Sequence, residues 1–116
     1  MALMHATTFW DMRARECRRR HARARAAAPV VAETLARLGA RRVWLFGSAL
    51  RPDRFREDSD LDLAVEGLPT GRLIDAGVAA DRIAGHTCDL VEIETCDPAL
   101  RARILREGEL LLERLG

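Results

Sequence analysis

The chain contains no lysine and no tyrosine, and only 4% of its residues are aromatic. Its 19 basic side chains are therefore all arginine, so an oxyanion not held by metal or backbone must be held by guanidinium groups, which bind it through two parallel bonds. The three cysteines, Cys17, Cys88 and Cys96, are an odd number with no C-x-x-C or zinc-finger spacing. This excludes a disulfide framework and predicts reduced thiols. A zinc site on His86 and Cys88 would lack two further ligands at suitable spacing. No apolar run approaches the length of a membrane span, and the first eight residues lack the charged lead and apolar block of a secretory signal, so no membrane contact and a cytoplasmic location are expected.

With 116 residues, 48% apolar and 32% charged, the chain has material for a single core. One compact domain is expected, with residues 1–40 as an N-terminal helical segment and residues 41–116 as the core. The formal net charge is +1, but it is unevenly spread. Arg13, Arg15, Arg18, Arg19, Arg20, Arg23 and Arg25 crowd one segment, while most acids follow residue 52. No aromatic side chains interleave with these arginines, so a solvated or protein-docking helix is favoured over direct nucleic-acid binding. His5 and His21 are expected to be exposed, and Phe9, Trp10 and Trp44 to pack.

Thr8 and Asp11 have capping-box spacing before an alanine- and arginine-rich helix. That helix is expected to break near Pro29, resume through Leu35 and stop at Gly39. A strand over Val43–Phe46, a turn from Ser48, a polar loop over Arg51–Ser59 and a strand over Asp60–Val65 follow. Thr70 is placed to cap a helix running through Leu73 and Ile83 to Gly85. The apolar run around Asp89 reads as a strand, and Asp97-Pro98 opens a last helix. The order α, β, α, β, α, β, α predicts an α/β fold, a small mixed sheet flanked by helices with one added at the N-terminus.

The chemistry is concentrated between Val43 and Val65. Gly47 lets the backbone leave a strand sharply and approach a ligand, and Ser48 adds a hydroxyl and free N–H groups that suit an anion. Further on, Asp60 and Asp62 are two apart in a strand and project to the same face. Two adjacent carboxylates repel unless a cation lies between them, and oxygen ligands together with substrate phosphates suit Mg²⁺. Alternation also puts Asp89 on one face of its strand and Glu92 and Glu94 with the other, where they read as solvated surface.

Gly47-Ser48-Ala49-Leu50-Arg51, then a spacer, then Ser59-Asp60-Leu61-Asp62-Leu63-Ala64-Val65 resembles the signature of the DNA polymerase β-like nucleotidyltransferases, in particular their minimal prokaryotic domain. Arg103–Leu111 resembles the family's C-terminal segment. Pro52 stands where the family often has glycine, and the spacer is slightly longer than its commonest form. The resemblance implies a polymerase β-like fold, Asp60, Asp62 and Asp89 as catalytic and metal-binding carboxylates, and Gly47, Ser48, Arg51 and Ser59 as nucleotide-binding residues. It further implies ATP as substrate, Mg²⁺ or Mn²⁺ as cofactor, and an antitoxin that transfers AMP to a hydroxyl, chiefly tyrosine, of a HEPN ribonuclease toxin. Two alternatives stay open: an antitoxin that acts by occlusion alone, and transfer to a small alcohol such as an aminoglycoside.

Overall fold

The computed structural model describes residues 9–52, 55 and 59–114. The expected capping residue Thr8 and His5 lie outside them. Helix α1 (Phe9–Arg37) leads into strand β1 (Arg42–Phe46), a 3-10 turn (Gly47–Leu50), strand β2 (Leu61–Glu66), helix α2 (Leu73–Ala84), strand β3 (Cys88–Glu92), helix α3 (Pro98–Glu107) and strand β4 (Glu109–Glu113). The strand order is β3-β2-β1-β4. β1 pairs antiparallel with β2 and β4, and β2 pairs parallel with β3, so the sheet is mixed as expected.

Alternation along the strands divides the molecule into layers. Val43 and Leu45 of β1 and Leu61, Leu63 and Val65 of β2 point to one face, where they meet Val31, Ala32 and Leu35 of α1 and Ala76 and Ala80 of α2. Trp44 and Ala64 point to the other face and pack with Ile93 and Ile104, the latter from α3. Trp44 is thus a packing residue, as its sequence context suggests. Arg42 ties three strands together at the far end of the sheet, donating from Nε to Glu113 at 2.6 Å and from Nη1 to Glu66 at 3.1 Å.

Several expectations are corrected. α1 runs unbroken through Pro29, which is exposed while Ala28, Val31 and Ala32 are buried. An interior proline costs a helix ~3 kcal/mol or more, whereas each fully buried valine or leucine contributes roughly 1.5–3 kcal/mol, so the buried face with Val31 and Leu35 outweighs the break. Phe9 and Trp10 do not pack into the core: they are 63% and 74% exposed, and the first buried residue of α1 is Ala24, about four turns further on. His21 is half-buried rather than exposed. Thr70 does not cap α2; it lies in a turn closed by the Arg72 N–H on Pro69 O at 3.1 Å, and Arg72 is the first flanking residue, with no side-chain cap. Strand β4 is an addition to the expected order. By contrast Asp97 caps α3 as expected, its Oδ2 accepting from the N–H groups of Ala99 and Leu100 at 3.1 and 3.3 Å, and Gly85 ends α2 at φ 61°.

Candidate active site

The edge of the sheet where β1 ends and β2 begins collects the acidic residues. Phe46 is the register partner of Asp62 in the antiparallel pair, and Asp62 is the register partner of Asp89 in the parallel one. Register partners share a face, so Asp62 and Asp89 sit side by side on the face that carries Trp44, Ala64 and α3. Asp60 is exposed and precedes β2 by one residue, two before Asp62. Glu92 is offset by one alternation from that face, and the exposed Glu94 accepts a hydrogen bond from the Gly67 N–H at 2.7 Å.

The three carboxylates feel one another. Burial pushes the half-buried Asp62 carboxyl up to about 6, and the charges of Asp89 and then Asp60 push it the same way. A group raised in the folded state contributes stability that is fully present below its unfolded value, near 3.8, and lost as pH rises through its folded value. Protein without divalent cations is therefore expected to lose thermal stability between about pH 4 and 6. Melting curves across that range should show the loss, and Asp62→Asn should flatten it.

Gly47 brings the turn against these carboxylates. Its φ of 76° lies in the left-handed region, and a Cβ added there would collide with Asp62 Oδ2. The turn is closed by the Arg51 N–H on Ser48 O at 2.9 Å. Gly47, Ser48 and Arg51 form one wall of a cavity of about 400 Å³, and Arg103, Ile104 and Glu107 of α3 form the other. Among the described residues neither Arg51 nor Arg103 is in an ion pair. Two uncommitted guanidinium groups over a partly apolar floor suit an anionic ligand with a flat ring. Arg103 and Glu107 are cavity-lining residues that local pattern did not single out; the sole signal was that they fall in the segment Arg103–Leu111.

Of the seven candidate site residues, Gly47, Ser48 and Arg51 line the cavity, while Asp62 stands against Gly47 with Asp89 as its register partner and Asp60 two residues before it. Ser59 is not in the lining; its carbonyl accepts from His86 Nε2 at 2.7 Å. Among the described residues no three His, Cys, Asp or Glu side chains form a ready-made metal cage. Mg²⁺ is commonly held by one or two carboxylates and completed by substrate phosphates and water, and Asp62 with its register partner Asp89 offers two. The all-oxygen donor set and the mutual repulsion at Asp62 fit a hard divalent cation. Cys88 is no competitor: burial, then Asp81 and Asp60, push its thiol up to about 12, and the His86 nitrogen is committed to a carbonyl. Among the described residues no helix is long and apolar enough to cross a membrane.

Residues 31–115 match the polymerase β nucleotidyltransferase family. A solved minimal nucleotidyltransferase is similar at 39% identity over 72% of this chain and 88% of its own length, with a TM-score of 0.61. A toxin–antitoxin structure with AMP-PNP is similar in fold at 20% identity over 76% of this chain and 73% of its own, with a TM-score of 0.62. The toxin–antitoxin MntA–HepT is similar in fold at 18% identity over 73% and 72%, with a TM-score of 0.52. No curated protein sequence matches the chain.

Proposed function

We propose, from the premise that this chain belongs to the polymerase β nucleotidyltransferase family, that it transfers AMP from ATP to a tyrosine hydroxyl of a HEPN-type ribonuclease toxin and so acts as its antitoxin. Nucleotidyl transfer is the family's reaction. The observation that carries the reading here is Asp62 standing against the Gly47 turn with Asp89 as its register partner. The fold shared with toxin–antitoxin structures, one of them solved with AMP-PNP, supports the partner and the nucleotide.

In this reading the Gly47 backbone, the Ser48 hydroxyl and the Arg51 and Arg103 guanidinium groups receive the triphosphate, with Ser59 fixing the approach to Asp60. Asp60, Asp62 and Asp89 would hold Mg²⁺ or Mn²⁺. When bound, that cation neutralises phosphate charge and acidifies an attacking hydroxyl. The acceptor oxygen attacks the α-phosphorus, the new O–P bond forms as the bond to the bridging oxygen breaks, and pyrophosphate leaves. Asp89, exposed at the sheet edge, takes the acceptor's proton. Because the chain has no tyrosine, such a transferase does not modify itself at that residue.

Co-expression with the toxin separates transfer from occlusion. Wild type should neutralise toxicity, whereas Asp89→Asn should still co-purify with the toxin yet leave it active. Equal neutralisation by both would establish occlusion and end the catalytic reading.

A further inference from the structure

Phe55 lies in the connection between the Gly-Ser turn and the acidic strand, yet it is only 1% exposed. Two imidazoles enclose it. His21 of α1 meets its ring edge-on at 5.8 Å between centroids, and His86, two residues before β3, lies tilted over it at 5.7 Å. Each imidazole also holds one end of the connection. His21 Nε2 lies 2.7 Å from the carbonyl oxygen of Ala49, and His86 Nε2 lies 2.7 Å from that of Ser59. A carbonyl oxygen only accepts, so in both rings Nε2 carries the proton and donates. Ala49 follows Ser48 and is fully buried, so its carbonyl needs a protein donor; Ser59 precedes Asp60.

We propose that His21, Phe55 and His86 form a clamp of positioning residues that sets the Ser48 turn and Asp60 relative to each other. The proposal rests on the reading that these two elements receive nucleotide and metal, but its geometry stands on its own. The carbonyl at each end of the connection has an imidazole donor, and both imidazoles are spaced by one buried ring. His21 precedes the segment 31–115 that matches the family, so the earlier turns of α1 contribute to site geometry in this chain. The clamp does not depend on imidazole charge, since Nε2 donates in the neutral and the cationic ring alike.

The two histidines act on different ends, so their variants should fail differently. His21→Ala loosens the triphosphate turn and should raise KM for ATP about tenfold with kcat near wild type, while His86→Ala displaces Asp60 and should lower kcat about tenfold with KM little changed. His21→Gln and His86→Gln, whose amide nitrogen replaces the Nε2 donor, should restore most of each loss. In parallel, two-dimensional NMR should show the Ser48 amide signal moving in His21→Ala and the Asp60 amide signal moving in His86→Ala. Unchanged kinetics and unmoved amide signals in both alanine variants would overturn the clamp, as would glutamine variants no better than alanine. If wild type transfers no nucleotide, the reaction reading fails by itself and the amide signals alone decide the clamp.

Discussion

Replacing Asp60 and Asp62 together with asparagine is expected to abolish the stabilisation that Mg²⁺ and ATP confer, without unfolding the protein. A ligand present at a hundred times its dissociation constant stabilises a fold by about 2.7 kcal/mol, which in a domain of this size is a rise of roughly 10 °C in melting temperature. That rise should disappear in the double variant. Transfer should fall by about a thousandfold, since losing a cation that contributes several kcal/mol to charge stabilisation costs a factor of ten for each ~1.4 kcal/mol. The cation-free variant should melt no lower than wild type at pH 7, because a neutral amide at position 62 escapes the cost of burying a charge, and the repulsion from Asp89 and Asp60, that together raise the Asp62 carboxyl. A thermal-shift comparison decides it. An undiminished shift with Mg²⁺ and ATP in the double variant would remove these carboxylates from the site.

Gly47→Val should be the most damaging single change in the turn. At φ 76° a β-branched residue is strained by about 1–3 kcal/mol, and its Cβ would occupy space held by Asp62 Oδ2. The turn must shift away from Asp62 or displace its carboxylate, and either movement breaks the approach of turn to acidic edge. Nucleotide-dependent stabilisation and transfer should both be lost, with a lower melting temperature. Ser48→Ala, which adds no atoms, should reduce transfer by about a hundredfold, in the range of one lost transition-state donor, and leave melting unchanged. Rates and melting curves for the pair separate steric from chemical loss. Wild-type turnover in both would make the turn purely structural.

The parts of this molecule that were legible from sequence are those written in short-range pattern. Gly47-Ser48 interrupts an apolar run, and a turn stands there. Asp60, Asp62 and Asp89 alternate with leucine and valine, and strand register brings Asp62 and Asp89 together. Strand β4 was not legible because Glu109–Glu113 is a short apolar run, which periodicity cannot distinguish from the end of a helix. What makes it a strand is the free edge of β1, together with Gly108, where a Cβ would press on the Ile104 and Leu45 carbonyls. Pro29 looked like a break because propensity is local, whereas the buried face that carries α1 through it is tertiary. The His21–Phe55–His86 cluster was hidden for the same reason. Its members are far apart in the chain, and nothing beside them in sequence marks the meeting.

Transfer to a partner is the defining step, and intact mass spectrometry measures it directly. The chain, Mg²⁺ and ATP should be incubated with the proposed HEPN-type toxin, alongside a control in which Asp60→Asn/Asp62→Asn replaces wild type. The toxin should gain the mass of one or more AMP units with wild type and none with the double variant, while the mass of this tyrosine-free chain stays constant. A toxin mass unchanged by wild type, in a mixture where the two proteins form a complex, would contradict transfer.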